Sequence, residues 1–206
     1  MLIPAFNEAR YLTPVVTAAL AAGPRTVLVV DDGSSDETSS VAAEAGAAVL
    51  TLPANRGKGG ALAAGATALA ETYLVLLDAD LVDLKPEHVH QLAEPVVTGA
   101  ADMSRGTFSG GRLSTTLAQR LTPQLNGQRC VKRSGLLAVE GLKESRYGVE
   151  IAITRHAHQA GWRSAEVQLR GVSQVMKEEK RGFLKGAAAR AKMYWQVLAQ
   201  MLKGGR

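Results

Sequence analysis

The sequence is poor in cysteine and in aromatic side chains, and it has no long apolar segment. Cys130 is the only cysteine among 206 residues, which excludes an internal disulfide bond and indicates a reducing compartment, so we predict a cytoplasmic location. No stretch approaches the ~20 apolar residues needed to cross a bilayer, and no signal peptide precedes the first predicted strand. Aromatic residues make up only 4% of the chain, so side chains that stack on bases are scarce and nucleic-acid binding is not expected.

Positive charge is in excess and is concentrated near the end of the sequence. The chain has 24 Lys and Arg against 19 Asp and Glu, a net charge of +5. Residues 177–206 hold eight of these cations, with only Glu178 and Glu179 as acids. We predict a basic amphipathic helix there, which contacts the inner face of the membrane as a peripheral surface or packs its apolar stripe on the domain.

Strand and helix patterns alternate along the first hundred residues. Predicted strands cover residues 2–3, 26–30, 48–52 and 73–77, and predicted helices cover 9–21, 35–45, 57–71 and 86–97. This alternation predicts an α/β fold, with a mostly parallel, Rossmann-like sheet flanked by helices in a single domain. The first strand is short, so either residues are missing before it or the strand is unusually brief.

The alternation is weaker after residue 99. Strands are predicted at 101–108 and 165–169, a turn at 126–129, and helices at 113–121, 148–159 and 179–202. We therefore divide the domain 1–206 into a first half (1–99), a second half (100–176) and the basic C-terminal helix (177–206).

Two acids follow directly on an apolar run. The run 73–77 reads as a buried parallel strand, and Asp78 and Asp80 come at its carboxyl end, where open α/β sheets bind ligands. Residues two apart on an extended backbone point the same way, so both carboxylates can reach one divalent cation and its phosphates. The alternative is an acid pair in contact with solvent.

Four polar segments are predicted to meet at that edge of the sheet: residues 4–8, 31–34, 55–59 and 78–80. Asp31 or Asp32 can accept hydrogen bonds from a base or a ribose. Lys58 lies in a Gly-Lys-Gly sequence that opens a helix, so backbone N–H groups are expected to face an anion there. Gly60 stands where a phosphate-binding Walker loop has Ser or Thr. Ordinary turns and helix caps are the alternative explanation.

These segments resemble a known family. Pro-Ala-Phe-Asn-Glu, Asp-Asp-Gly-Ser-Ser-Asp, Asn-Arg-Gly-Lys-Gly and Asp-Ala-Asp look like the motifs of family 2 glycosyltransferases of the GT-A fold. The resemblance is strong over residues 2–84, and later segments are similar to polyprenol-phosphate sugar transferases and glucosyl-3-phosphoglycerate synthases. It implies a nucleotide-diphosphate sugar as donor, Mg²⁺ or Mn²⁺ as cofactor, a nucleotide-sugar-binding first half and an acceptor-binding second half.

The resemblance also implies roles for single residues. Asp80 is the principal metal ligand, and Asp78 contacts the sugar, the ribose or the metal through water. Asp32 and Asp31 hold the base or the ribose, and Lys58 holds the base edge or the diphosphate. The residues implied to line the nucleotide pocket are Pro4, Ala5, Asn7 and Glu8.

Two positions depart from the family pattern. Val82 stands where related enzymes often have a metal-binding Gln, and Gln174 stands where many have a metal-binding His. An amide oxygen can coordinate a hard cation, so Gln174 is the third metal ligand that we predict, although a weaker one. The four histidines form two i, i+2 pairs on predicted helices and are expected at the surface; they are His88, His90, His156 and His158.

Arginines in the second half are expected to approach the donor edge. Arginine clusters suit phosphate recognition, and in the similar transferases such residues hold an acceptor phosphate that attacks without a strong base. The candidate acceptor-binding residues are Arg105, Arg112, Arg129, Arg133 and Tyr147, and the candidate catalytic residues are Asp80, Glu150 and Arg129. For the arginines a solvated surface is the alternative, and for Glu150 a charge at a helix start.

The leading hypothesis is a metal-dependent glycosyltransferase with an unidentified, phosphate-bearing or lipid-phosphate acceptor. A nucleotidyltransferase is the closest alternative, but the Gly-rich loop that such an enzyme carries after its first strand is replaced by Asn7 and Glu8. A non-catalytic protein that binds nucleotide-sugar or the membrane surface is a second alternative. A homodimer is a further hypothesis.

Overall fold

A seven-stranded sheet forms the centre of the computed structural model, which describes residues 1–109, 127–145 and 148–175. The strands are β1 (Leu2–Ala5), β2 (Leu28–Asp31), β3 (Ala48–Thr51), β4 (Tyr73–Leu76), β5 (Leu81–Val82), β6 (Met103–Ser109), β7 (Arg129–Lys132), β8 (Ser164–Arg170) and β9 (Ser173–Gln174). The helices are α1 (Ala9–Ala21), α2 (Thr38–Glu44), α3 (Gly57–Ala68), α4 (Pro86–Val97), α5 (Arg133–Leu137) and α6 (Val149–Gln159). The predicted helices at 113–121 and 179–202 lie outside the described residues.

The sheet is mostly parallel, as the alternating pattern predicts. Its strand order is β3-β2-β1-β4-β7-β6-β8, and β5 pairs with β9 in a separate two-stranded ladder. Strands β1 to β4 run parallel, and β8 is parallel to β6, whereas β7 is antiparallel to both β4 and β6. The chain therefore forms a single α/β domain of the expected class.

Strand β7 corrects the predicted turn at 126–129. Arg129 is not in a turn but begins the strand, where it pairs with Leu76 of β4 and with Arg105 of β6. The sequence hides this strand because only Cys130 and Val131 are apolar and cations flank them on both sides. Its place between two neighbours is set by tertiary pairing rather than by local propensity.

Helices cover both faces of the sheet, and the pleat decides which side chains meet each layer. One face packs on α1, α2 and α4 through residues such as Ile3, Val29 and Val75. The opposite face packs on α3, α5 and α6 through residues such as Leu74 and Leu76. Successive strand residues alternate between faces, so Asp78, two residues beyond Leu76, is directed to the layer that holds α3 and α6.

Helix α3 lies very close to the sheet because it contains Gly65. A Cβ atom at this position would lie 2.2 Å from Cδ1 of Leu2 and 2.8 Å from Cγ2 of Val30. Both of those side chains are fully buried and cannot retreat into solvent. The glycine thus permits the close packing of α3 on β1 and β2. None of the described helices is long and apolar enough to cross a bilayer.

His88 corrects the expectation that all four histidines are exposed. His90 and His158 are exposed and His156 is half-buried against Trp162, but His88 is only 7% exposed. Its Nδ1 accepts a hydrogen bond from the backbone N–H of Lys85 at 3.1 Å, and the ring also bonds the backbone of Arg170. Burial, followed by the charge of Lys85, lowers the pKa of His88. The imidazole therefore joins the start of α4 to the end of β8 as a neutral group.

The buried imidazole predicts a loss of stability in mild acid. Because its pKa is lower in the folded chain than the usual value of about 6.5, the unfolded chain binds more protons as the pH falls below that value, and the free energy of unfolding decreases. This site contributes a slope of at most about 1.4 kcal/mol per pH unit. Urea denaturation between pH 7.5 and pH 5.5 should show a shallower slope for His88→Gln than for the wild type. His90→Gln, on the exposed side of the same helix, should keep the wild-type slope, and an unchanged slope in both variants would contradict the assignment.

Candidate functional site

The carboxyl ends of four parallel strands meet at one edge of the sheet. The register aligns Ala5 with Asp31 and Asp31 with Thr51, and Leu2 pairs with both Leu28 and Leu76. The segments that follow β1, β2, β3 and β4 therefore emerge side by side, as in other open α/β sheets that bind ligands at this edge. The four polar segments singled out in the sequence are brought together here.

Lys58 lies at the centre of this edge, between two carboxylates from different elements. Its Nζ atom is 2.5 Å from Oδ1 of Asp78, which follows β4, and 2.6 Å from Oε1 of Glu150, in the first turn of α6. Burial alone would lower the pKa of Lys58, but the charges of Asp78 and Glu150 outweigh burial and raise its pKa above the usual value. The lysine is therefore a cation held in place by the two carboxylates.

Asp78 is an ionised carboxylate that already has several donors. Lys58 bonds Oδ1, while the side-chain amides of Gln128 and Gln174 donate to Oδ2 at 2.9 Å and 2.5 Å. Burial alone would raise the pKa of Asp78, but the charge of Lys58 and these hydrogen bonds outweigh it and lower the pKa. Asp78 therefore joins the end of β4 to α3, to the residue before β7 and to β9.

Asp80 and Gln174 form the part of the site that is best suited to a metal ion. Strand β9 pairs with β5, with Gln174 opposite Leu81, and the backbone N–H of Val175 donates to the carbonyl of Asp80 at 3.1 Å. This ladder places Nε2 of Gln174 3.2 Å from Oδ1 of Asp80. Asp78, Asp80 and Gln174 are the metal ligands predicted from the sequence, and the structure brings the three side chains together.

The chemistry of this donor set fits Mg²⁺ or Mn²⁺. Two carboxylates and an amide oxygen are hard ligands of the kind that these cations take, with waters and substrate phosphates completing the shell. The described residues contain no cluster of three or more His, Cys, Asp or Glu side chains, so the protein alone supplies a sparse set. Since the oxygens of Asp78 already accept from Lys58, Gln128 and Gln174, Asp80 is the better candidate for the principal ligand.

Asp32 has a structural role that the sequence did not reveal. Its two carboxylate oxygens accept the backbone N–H groups of Arg56 and Gly57, each at 2.7 Å, and so cap the start of α3. The N–H of Gly59 donates to the carbonyl of Ser145 at 3.0 Å. The expectation that the N–H groups of Gly57 and Gly59 face a bound anion is therefore wrong, because protein oxygens already bond them. It is the side chain of Lys58 that reaches the site.

The loops after β1 and β2 are tied to each other by side-chain hydrogen bonds. Asn7, with a left-handed backbone (φ 56°), donates its N–H to the hydroxyl of Ser34 at 2.9 Å, and its Oδ1 accepts from the N–H of Ser35 at 2.9 Å. Asp31 accepts from the N–H of Ser34 at 2.9 Å and from the hydroxyl of Ser39. Asp31 is 3% exposed and stabilises this loop through these two hydrogen bonds.

The remaining candidates for the nucleotide pocket lie in or beside these loops. Pro4 and Ala5 end β1, and the backbone N–H of Glu8 donates to the hydroxyl of Thr38 at 2.9 Å. Asn7 is exposed, whereas Asp31 and Asp32 are both buried. The structure thus brings the predicted pocket residues to one place, and their contact with a nucleotide stays a prediction.

Arg129 is buried beneath the site rather than open at its surface. Its Nη2 donates to the backbone carbonyl of Glu150 at 3.2 Å, and its Nη1 lies 3.4 Å from Sδ of Met103. Burial, with the nearby charge of Arg105 adding to it, lowers the pKa of Arg129 to about 10. Arg129 therefore supports the turn of α6 that presents Glu150 to Lys58.

The two other described arginine candidates, Arg105 and Arg133, lie at opposite edges of the sheet. Arg105 lies beside Arg129 on β6 and forms an ion pair with Glu166 of β8. Arg133 lies at the opposite edge, where its backbone N–H donates to the carbonyl of Thr72 at 2.8 Å. The expectation that Arg133 approaches the donor edge is therefore wrong. Arg112 and Tyr147 lie outside the described residues.

Two neighbours of the Lys58–Asp78 pair were not predicted from the sequence. Gln128 was assigned only to a turn, yet its amide bonds Asp78. Gly127 passes so close to the pair that a Cβ atom there would lie 2.5 Å from Nζ of Lys58 and 2.6 Å from Oδ1 of Asp78. The Asn-Gly-Gln sequence was the available signal, but its contact with Asp78 depends on the unforeseen strand β7.

Known proteins share this sequence pattern over most of the chain. The family model described as glycosyl transferase family 2 matches residues 1–157. The uncharacterized glycosyltransferase Rv0539 of Mycobacterium tuberculosis is 31% identical, and the match covers 97% of each chain. Undecaprenyl-phosphate 4-deoxy-4-formamido-L-arabinose transferase of an Enterobacter species is 31% identical, over 61% of this chain and 41% of that protein. The match to a third relative, from Methanocaldococcus jannaschii, likewise spans less than half of that protein's length, 45%.

A solved structure shares the fold. Glucosyl-3-phosphoglycerate synthase from Mycobacterium tuberculosis, in complex with Mn²⁺, uridine-diphosphate-glucose and phosphoglyceric acid, matches with a TM-score of 0.76 and 25% identity, over 98% of this chain and 77% of that one. The sheet with its flanking helices thus has the GT-A architecture that the motifs implied. Since the family model covers more than half of the sequence and the relative from Mycobacterium tuberculosis matches along nearly all of it, the chain belongs to glycosyl transferase family 2 and is a glycosyltransferase.

Proposed function

We propose that this glycosyltransferase moves a sugar from a nucleotide-diphosphate sugar to a phosphate-bearing acceptor, with a divalent cation bound at Asp80. The observation that carries the proposal is the convergence of Asp78, Asp80 and Gln174 around one point at the carboxyl edge of the sheet, next to Lys58. Acids beside a fixed cation at such an edge are suited to a diphosphate bridged by a metal ion.

The two halves of the domain meet at this point. Lys58, Asp78 and Asp80 come from residues 1–99, which we propose bind the donor. Gln128, Glu150 and Gln174 come from residues 100–176, which we propose carry the acceptor side. Side chains of the second half form hydrogen bonds with side chains of the first half. A donor bound at the first half would therefore lie next to the second half.

The chain's own residues have separate tasks in the proposed reaction. An oxygen of the acceptor phosphate attacks the anomeric carbon, the bond from that carbon to the diphosphate breaks, and the nucleoside diphosphate leaves with the electron pair. Asp80 and Gln174 would hold the cation, which when bound neutralises the charge growing on the departing diphosphate. Lys58 has three N–H donors, of which Asp78 and Glu150 take two, and its remaining donor would bond a diphosphate oxygen.

A phosphate on the acceptor is supported by the charges of the second half and by the relatives. Arg129 is buried and does not contact the acceptor, but its charge and that of Arg105 on the adjacent strand add positive potential beneath the acceptor side, which favours an anion there. One matched relative is named for an undecaprenyl-phosphate acceptor, and the solved neighbour holds phosphoglyceric acid. Both molecules are phosphate monoesters, and a phosphate monoester is the acceptor class that we propose here.

Turnover assays with purified full-length chain test this proposal. UDP-, GDP- and TDP-sugars would be combined with Mg²⁺ and with either phosphoglyceric acid or a short polyprenyl phosphate. We expect acceptor-dependent release of a nucleoside diphosphate that stops when EDTA is added and returns with excess Mg²⁺. Release of pyrophosphate would identify a nucleotidyltransferase instead, and full activity in EDTA would contradict the metal role.

Peripheral membrane attachment and a homodimer remain hypotheses. The membrane hypothesis depends on residues 177–206, which lie outside the described residues. Flotation with anionic liposomes tests the attachment, and it predicts binding that weakens as salt increases, because the attraction depends on the basic residues.

A further inference from the structure

We propose that Gln174 keeps this site from preferring Mn²⁺ to Mg²⁺, because it completes a set of protein ligands that consists of oxygen alone. The inference rests on the proposed metal role of Asp80 and goes beyond it, because it assigns the choice among divalent cations to one side chain. Its basis is the position of the amide, which lies within hydrogen-bond distance of both acids.

The backbone, rather than the side chain's own hydrogen bonds, fixes this position. Gln174 pairs in the β5–β9 ladder with Leu81, the residue that follows Asp80. The backbone N–H of Val175 donates to the carbonyl of Asp80 at 3.1 Å. The amide nitrogen faces Asp78 and Asp80 at 2.5 Å and 3.2 Å. A half-turn of the terminal amide exchanges nitrogen and oxygen with no movement of the chain. A cation between the acids would therefore meet the amide oxygen.

The described side chains around the acids provide no nitrogen or sulfur ligand. His88 is buried between Lys85 and Arg170, His90 shares its helix α4, and His156 and His158 lie on α6. Cys130 is fully buried within β7. The ligands from the protein are thus carboxylate and amide oxygens, to which the diphosphate adds more oxygen.

An all-oxygen shell suits Mg²⁺ and Mn²⁺ alike. Mg²⁺ is a hard cation that takes oxygen ligands and retains several waters, whereas an imidazole nitrogen raises the affinity for Mn²⁺, Co²⁺ and Zn²⁺. With a neutral amide at position 174, Mn²⁺ gains little over Mg²⁺.

Direct metal binding to the full-length chain tests the inference without any turnover. Free Mn²⁺ is titrated by electron paramagnetic resonance, and Mg²⁺ affinity follows from competition. For Gln174→His we expect Mn²⁺ affinity to rise relative to Mg²⁺ by on the order of tenfold, the lower end of the effects seen when even outer-shell groups of a metal site change. An unchanged ratio of the two affinities in Gln174→His would overturn the inference.

Three further variants keep the outcomes distinct. Asp80→Ala/Gln174→His should lose the gain in Mn²⁺ affinity, which locates the new ligand at this edge, and a gain that persists would contradict the inference. If Asp80→Ala alone binds both metals as the wild type does, the proposed metal site itself is wrong.

If Gln174→His fails to fold, Gln174→Glu takes its place, because another oxygen ligand should strengthen binding of both metals and leave their ratio unchanged. A ratio shifted towards Mn²⁺ by Gln174→Glu would overturn the inference.

Discussion

Replacing Asp80 by asparagine is expected to lower kcat for sugar transfer by roughly 100- to 1,000-fold, the loss seen when one group that stabilises developing charge is removed from an active site. Asp80 has the carboxylate best placed to bind a cation, since the oxygens of Asp78 already accept from Lys58, Gln128 and Gln174. Steady-state release of nucleoside diphosphate at saturating donor and Mg²⁺ measures the effect. Thermal melting should change little, because Asp80 is only partly buried at the rim of the sheet.

Asp83→Asn is the matched control for this variant. It removes the same charge from an exposed position three residues away, and asparagine tolerates the left-handed backbone there (φ 59°). We expect wild-type kcat from Asp83→Asn. Equal activity in Asp80→Asn and Asp83→Asn would mean that the charge of Asp80 has no part in the reaction.

Replacing Gly127 by alanine is expected to reduce kcat/KM by about 100-fold, since a displacement of about 1 Å in positioning groups costs that much. The new methyl group would lie 2.5 Å from Nζ of Lys58 and 2.6 Å from Oδ1 of Asp78, distances that force the ion pair apart. Asp78 would then move away from the Gln174 amide, and Lys58 would leave its position opposite the diphosphate. The same assay of nucleoside diphosphate release, with donor concentration varied, gives kcat/KM.

Gly99→Ala separates this local effect from the general cost of replacing a glycine. Gly99 lies in the loop before β6 with a left-handed backbone (φ 78°), and a Cβ atom at this position would meet no other atom within 4 Å. The control should lose some stability through backbone strain and keep full activity. If Gly127→Ala retains wild-type kcat/KM, the Lys58–Asp78 pair does not need the geometry described.

The sequence was sufficient for the donor side of the site because its signals are local. Each of the first three strands is followed directly by a helix, and β4 is followed by the short strand β5 and then by α4. Parallel strands place their following loops at a common edge. Asp78 and Asp80 could be assigned to that edge from the apolar run that precedes them. The resemblance to family 2 motifs also covers this same part of the chain.

The second half depends on contacts between distant residues, which no local pattern reveals. Strand β7 has only two apolar residues, yet it lies between β4 and β6 and brings Gln128 to Asp78. Its antiparallel direction places Arg129 opposite Leu76, at the carboxyl end of β4, and its length carries Arg133 away from there. Four residues at about 3.4 Å each carry the chain roughly 13 Å, so Arg129 remains near Glu150 while Arg133 reaches the far edge of the sheet.

The capping role of Asp32 and the burial of His88 were missed for a related reason. Asp32 lies in good turn chemistry, but its carboxylate caps α3, whose first residues come 24 and 25 positions later. His88 lies on a helix whose exposed side carries His90, and its burial depends on β8, some eighty residues further along the chain. In both cases the partner is a backbone group, and the identity of a residue does not reveal where its backbone groups form hydrogen bonds.

Locating the metal ion tests the central claim most directly. Crystals of the full-length chain grown with Mn²⁺ and uridine diphosphate would show the cation by its anomalous scattering. We expect one peak at the carboxyl edge of the sheet, within coordinating distance of an Asp80 oxygen and of the diphosphate, with the amide oxygen of Gln174 turned towards it. A peak bound elsewhere, with Asp80 facing away from the nucleotide, would contradict the proposed site.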